Sequence, residues 1–256
     1  MTLHKVIHKY YPFILTIGVL LILCEWTVGQ GWVPSFIIPK PSAVVHTLFD
    51  QFDFIWEQTK LTLTEVLLGL SISLIAGLGI GILLYYSDWA RRALYPFVLI
   101  SQTIPTIALS PIFIMWFGYG MLTKVAVIFL FCFFPLVVSV YDGLRQTDHD
   151  YLHLFRNMQA SRWQTFRHLE WKMALPSIYS GIKLAVIYAL MGATVGEWLG
   201  GNGGLGYYIR RMSSSLKSEG VFAGIVVLSL IGISLFGLVS LIESRRLSYR
   251  YQKGNK

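Results

Sequence analysis

The chain has 256 residues, 55% hydrophobic and 13% charged, with a formal net charge of +8. A soluble domain carries about 25% charged residues. The deficit gathers in long apolar runs, which excludes an ordinary soluble fold and points to membrane helices of about 20 residues each. The positive charge does not mark a nucleic-acid binder, because the basic residues fall between apolar runs and not along one soluble face.

Six spans are predicted, giving an all-α membrane protein: Pro12 to Val28, Leu61 to Tyr86, Leu94 to Phe117, Leu122 to Tyr141, Ser177 to Leu199 and Val221 to Ile242. Residues 1–60 form an N-terminal span and first external loop, 61–242 the transmembrane core, and 243–256 a basic tail. In the first span Lys5 and Lys9 precede an apolar run, as in a signal peptide. The next residues, Glu25-Trp26-Thr27, offer no small-residue cleavage site, and Trp suits a membrane interface. The first span is therefore read as retained. Cys24 and Cys132 both sit inside apolar runs and read as small buried hydrophobes, not as a disulfide or a metal site.

With the N-terminus inside, fourteen Lys and Arg residues fall in inner segments, among them Arg91, Arg92, Arg145, Arg156, Arg162 and Arg167. Six fall in outer segments: Lys40, Lys60, Lys124, Arg210, Arg211 and Lys217. Lys183 lies within the fifth span and is left out. The positive-inside rule then puts both termini in the cytoplasm of a cell whose inner membrane holds the chain as a multi-pass protein.

The second span carries Gly69, Gly77, Gly79 and Gly81 with Ser71 and Ser73, small residues that let helices approach closely in lipid. Intrachain packing and a surface along a path or dimer axis both account for them. The third span contains Pro96, Pro105 and Pro111, and proline interrupts helical hydrogen bonds. A break near Ser101, Gln102, Thr103 and Pro105 is the candidate translocation path. Pro135 predicts a similar break in the fourth span.

Between the fourth and fifth spans lies a polar, basic island, Gly143 to Pro176. Tyr151, Leu152, Phe155 and Met158 fall at helical spacing, with Leu154 beside them. Asp148 and Asp150 precede them and oppose the positive end of the helix dipole. Ser161 followed by Gln164 is a capping-box pattern that starts a second helix. Pro176 suits the first turn of the fifth span. Two short helices on the cytoplasmic side serve either as an element resting on lipid headgroups, with Arg156, Arg162 and Arg167 near phosphates, or as a docking element for a partner.

Beyond the island, Gly201-Asn202-Gly203-Gly204-Leu205-Gly206 matches a G-x-G-x-x-G string. It follows a membrane helix and not a strand, so it reads as a flexible turn and not a nucleotide site. No G-x-x-x-x-G-K-[ST] string occurs, so the chain has no phosphate loop of its own. Among ionisable residues at membrane depth, Glu25, Glu65, Glu197 and Glu243 lie near span ends and are expected to snorkel to water. Lys183 sits about two turns into the fifth span, and its long stem can also reach the interface. His4, His8, His46, His149, His153 and His168 match no zinc spacing, and no catalytic set is visible. The chain is therefore expected to be neither an enzyme nor a metal protein.

The run Ala160-Ser161-Arg162-Trp163-Gln164, then Phe166-Arg167-His168 and Ala174-Leu175-Pro176-Ser177-Ile178, resembles the coupling loop of ATP-binding-cassette import permeases. The resembling branch is the nitrate, sulfonate and taurine type, which includes permeases for thiamine-pyrimidine precursors. Gln102 to Pro111, Trp116-Phe117-Gly118 and Gly203-Gly204-Leu205-Gly206-Tyr207 resemble the same branch, so that the likeness covers about Leu61 to Ile242. The chain departs from the family's Glu-Ala-Ala start with His153-Leu154-Phe155, from its turn glycine with Gln159, and from a common Leu-Pro with Trp171-Lys172.

The resemblance implies a type I importer permease that moves a small anion or a pyrimidine-type vitamin precursor. Tyr151, Leu152, His153, Phe155, Met158, Gln159, Ala160, Ser161 and Arg162 would then form the ATPase-coupling loop. It also implies that ATP is bound by separate ATPase subunits, that an external solute-binding protein delivers the solute, and that two permease copies pair in the bilayer. An ion-coupled secondary transporter is the alternative reading. It would favour paired carboxylates or histidines at mid-membrane and an internal repeat, and neither is evident.

Overall fold

The structure is a computed structural model that describes residues 3–247, with side chains from Tyr11 onward. Among the described residues every regular element is a helix. This follows from the composition, since in hydrocarbon each backbone N–H and C=O needs a partner within its own segment. In chain order the helices are α1 (Leu3–Gly29), α2 (Pro41–Asp50), α3 (Phe52–Tyr86), α4 (Asp88–Ser101), α5 (Thr106–Phe117) and α6 (Met121–Arg145). After them come α7 (His149–Asn157), α8 (Arg162–Thr165), a π-helical turn (Phe166–Glu170), α9 (Trp171–Gly200), α10 (Leu205–Ser214) and α11 (Ser218–Arg246).

Five of these segments are long and apolar enough to cross a membrane: Tyr11–Gly29, Phe52–Tyr86, Met121–Arg145, Arg162–Gly200 and Ser218–Arg246. The third expected span is not one straight helix. It is split into α4 and α5, which meet at an angle of 104°. Pro105 explains the break: its ring disfavours helical geometry at Ile104, and it has no N–H to give. The chain turns there through bonds from Gln102, Thr103 and Ile104 N–H to Leu99, Ile100 and Ser101 carbonyls. Pro96 and Pro111 lie inside the two half-helices. The break expected at Pro135 is absent, and α6 runs through that residue.

Two other expectations change. Pro176 does not start the fifth span, because α8, the π turn and α9 form one helical stretch of 39 residues, Arg162–Gly200. The first loop contains α2, whose Pro41 occupies the first turn where a missing N–H costs nothing. Part of the basic tail, residues 248–256, and the Lys5 and Lys9 side chains lie outside the described residues.

Helix α6 is central, packed between α3 and α9. Val66, Leu70, Ile128, Cys132, Leu136, Ala185, Val186, Ala189 and Ala193 form the core between them. Glycine sets how close they come. A Cβ at Gly69, Gly77 or Gly81 would lie 2.5, 2.9 or 2.6 Å from Ile128, Leu136 or Val140. Gly192 on α9 meets the Ile128 backbone in the same way. Gly79 has open space, so intrachain packing accounts for three of the four glycines of α3. By contrast α1 is largely exposed, and is held to α2 by Ser42, whose N–H and hydroxyl both donate to Glu25.

Candidate functional site

The island folds as the predicted helix pair, and its caps can be followed atom by atom. Asp148 caps α7 by accepting from the Asp150 N–H at 3.0 Å. The helix ends in a Schellman turn: Ala160 N–H donates to Phe155 O and Gln159 N–H to Arg156 O. Gln159 occupies the left-handed position at φ 55°, where glycine costs least. Ser161 then caps α8 in a full capping box, its hydroxyl accepting from Gln164 N–H while its own N–H donates to the Gln164 side chain at 2.8 Å.

This geometry decides which side chains face out. Tyr151, Leu154 and Met158 are exposed on α7, Met158 by 70%, and Trp163 on α8 is 66% exposed. Leu152 and Phe155, which the spacing placed on the same apolar face, are only partly exposed. Leu152 turns inward to line a cavity of about 400 Å³ with Tyr86, Arg156, Arg162 and Glu170. His153, Gln159, Ser161 and Arg162 are exposed, and Ala160 is partly so.

A second site forms at the break between α4 and α5. Ser101, Gln102 and Thr106 line a cavity of about 340 Å³ together with Phe97, Phe131, Phe134 and Tyr188. Pro135 also lines it, from within the continuous helix α6. Among the described residues no charged side chain is in the lining. Of the four path candidates, Ser101 and Gln102 face this space, whereas Thr103 and Pro105 form the turn beside it. The Ser101 and Thr103 hydroxyls donate to Phe97 O and Ile100 O, each at 2.7 Å, which leaves Gln102 as the longer polar arm at the opening.

At the far end of the helices from the island lies a buried charge cluster that overturns two expectations. Glu65 and Glu197 do not snorkel to water; they are 1% and 0% exposed. Lys124, counted with the outer segments, is a buried residue of α6, and its Nζ donates to Glu65 at 2.6 Å and to Gly203 O at 2.8 Å. Glu197 accepts from the Thr62 hydroxyl at 2.6 Å and the Gly206 N–H at 2.5 Å. Gln58 accepts from the Gly204 N–H and Thr62 from the Leu205 N–H. The Gly201–Gly206 segment is thus a fixed turn and not a flexible one. A buried carboxylate is tolerable here because hydrogen-bond donors and a cation surround it. Glu243 is likewise paired, with Lys183 at 2.8 Å, in a partly buried bridge between α11 and α9.

The family model described as "binding-protein-dependent transport system inner membrane component" matches residues 69–248. A formylaminopyrimidine transport permease of Halalkalibacterium halodurans is 39% identical, over 92% of this chain and 95% of its own. The chain belongs to this permease family. A riboflavin transport system permease of Chloroflexus aurantiacus is 32% identical over 93% and 90% of the two chains, and a taurine transport permease of Escherichia coli 26% identical over 91% and 88%. An inward-facing methionine ABC transporter structure shares the fold, with a TM-score of 0.62 over 75% of this chain and 98% of that one at 17% identity.

The protein is accordingly a multi-pass permease component of an ATP-binding-cassette importer, a transporter and not an enzyme, of the type I fold. Sequence reasoning missed Glu170 in this permease. Its carboxylate is buried and accepts from the Tyr85 hydroxyl at 3.0 Å and the Tyr86 hydroxyl at 2.7 Å. One signal was available: Glu170 is the lone acidic residue in the otherwise basic second half of the island.

Proposed function

We propose that this permease works as one of two identical copies around a shared path, and that the Gly143–Pro176 island docks on an ATPase subunit that binds the ATP. The observation that carries the reading is the outward apolar face Tyr151–Leu154–Met158, with Trp163 beside it, on a doubly capped pair of short helices. An exposed cluster of large apolar side chains marks an interaction surface, and the flanking Arg156, Arg162 and Arg167 favour an acidic rim on the partner. Tyr151, Leu154, Met158, Gln159, Ser161 and Arg162 are the contact residues. Both termini and the island face the cytoplasm, as the Lys and Arg bias requires. An external binding protein delivers the solute to the opposite face. Residues 1–60, 61–242 and 243–256 then serve as peripheral span with loop, core, and tail, with the first turns of α3 and the last turn of α11 extending the core past those bounds.

For the solute, the cavity at the α4–α5 break supports an uncharged flat ring over an oxyanion. It offers aromatic faces and hydroxyl and amide groups, with no cation among the described residues to balance a sulfonate or nitrate. The relative at 39% identity carries formylaminopyrimidine in its name. Proteoliposomes holding the permease, its ATPase and its binding protein should take up radiolabelled formylaminopyrimidine in an ATP-dependent way and leave taurine outside. Uptake of taurine without the pyrimidine would refute the solute assignment. Uptake of neither in the absence of ATPase, with restoration on its addition, is the expected control.

A further inference from the structure

We infer that α3 is the strut that carries movement of the island to the opposite face, and that Glu170 with Tyr85 and Tyr86 is the clasp that fastens it. The inference rests on the reading of the island as the ATPase docking element. Helix α3 has 35 residues, and at about 1.5 Å per residue it spans roughly 50 Å, more than the hydrocarbon core. Its two ends make different polar attachments.

At the island end, each oxygen of the Glu170 carboxylate takes one tyrosine hydroxyl. Glu170 closes the π turn, in which the Trp171 N–H reaches back to Phe166 O. Such turns are rare within α-helices and concentrate at functional sites. The rings add a second attachment: Tyr86 meets Phe166 edge-on at 5.7 Å, and Phe166 packs on Trp163 and Trp171 at 5.8 and 5.9 Å. Helix α7 makes no such tie, because the 400 Å³ cavity opens between Leu152 and Arg156 on one side and Tyr86 on the other. A pull on the island passes directly into α9, which is continuous with α8, and reaches α3 through the Glu170 hydrogen bonds together with the Phe166–Tyr86 ring contact. At the far end, Gln58, Thr62 and Glu65 of the same helix hold the Gly203–Gly206 turn, Glu197 and Lys124. A helix bonded at both ends conveys displacement between them without any rearrangement of its own ladder. Glu170 is thus a positioning residue for transport: it touches no solute and sets how the island's motion arrives elsewhere.

The test uses the full chain with its ATPase in proteoliposomes and a reporter on the far turn, Asn202→Cys in a Cys24→Ser background. Asn202 is exposed and Cys132 is buried. The rate at which a membrane-impermeant maleimide labels the reporter from outside is measured with and without ATP. The parent should show an ATP-dependent change. Tyr85→Phe with Tyr86→Phe keeps both rings and removes only the hydroxyls; it should hold the ATPase and hydrolyse ATP as the parent does, yet lose the ATP-dependent change. Glu170→Gln, which retains an acceptor oxygen, should keep part of it. An unaltered labelling response in the double Phe variant would overturn the clasp. So would loss of ATPase recovery in that variant, which would make the clasp part of docking. Failure of the parent itself to hold the ATPase appears at the recovery step, before any labelling, and would overturn the island reading together with this inference.

Discussion

The island and the Gly201–Gly206 turn sit at opposite ends of the helix bundle, and both are polar breaks in an apolar chain, yet they satisfy their polar groups in opposite ways. The turn closes on itself: both oxygens of Glu197, one of Glu65, the Lys124 ammonium, two further side-chain oxygens and three backbone N–H groups are paired among α3, α6, α9 and α10, while the second Glu65 oxygen is buried without a hydrogen-bond partner among the described residues. The island caps its own helix ends and then leaves Tyr151, Leu154, Met158 and Trp163 facing outward. Gln159 and Leu216 both take φ 55° in Schellman turns, one inside the island and the other at the exposed end of α10. A region whose donors and acceptors are all internal is a lock. A region that spends its polar groups on caps and its apolar groups on exposure is a handle.

The largest effect should come from breaking the lock. Lys124→Met leaves Glu65 buried without its cation, and should cost about 3–5 kcal/mol of stability, read as a lowered midpoint of unfolding in detergent. Glu65→Met together with Lys124→Met should recover much of that loss, since the cost is that of an uncompensated charge. An unchanged midpoint for Lys124→Met would show that the cluster is wet in the membrane.

Next in size is the handle. Leu154→Asp with Met158→Asp should weaken ATPase binding by about 2 kcal/mol or more, roughly thirtyfold, as loss of an interface hot spot does. Membrane insertion and the unfolding midpoint should not move. Gly204→Ala should cost about 1–3 kcal/mol, because φ is +108° there and the new Cβ would run into the Glu197 carboxylate. The same substitution at Gly79, where nothing lies within 4 Å, should be close to neutral in the same assay.

The smallest effect is a gain. Gln159→Gly relieves the left-handed strain at the island turn, partly offset by the freer unfolded chain, for a net of roughly 0.5–1 kcal/mol. Limited proteolysis at the island should slow by a few-fold if this holds, and quicken if the turn needs the Gln side chain.

Much of this was legible in the residues, and the reasons for the rest are physical. Apolar runs and capping signals are local, so five unbroken spans, the Asp148 start and the Ser161–Gln164 box follow from neighbours in sequence. Pro105 announced a break but not its 104° angle, which depends on what packs against each half. Pro135 gave the same break signal and Pro176 a helix-start signal, yet both lie inside continuous helices, α6 and α9, which pack closely on each other. The burial of Glu65 and Glu197 was invisible because their partners come from far along the chain. Thr62 meets Glu197 across 135 residues, and Lys124 meets Glu65 across 59. The inward turn of Leu152 was missed for a related reason: period alone marks an apolar stripe, and only the neighbouring Tyr86 and Glu170 decide which edge of it is covered.

The claim at the centre of this account is that the island is a handle for an ATPase and the opposite turn is not. Co-purification of the ATPase with the membrane-inserted permease tests it most directly, comparing the parent chain, Leu154→Asp with Met158→Asp, and Arg210→Ala at an exposed position of α10. The account predicts full recovery with the parent and Arg210→Ala, and little with the double Asp variant. Equal recovery from all three would contradict it.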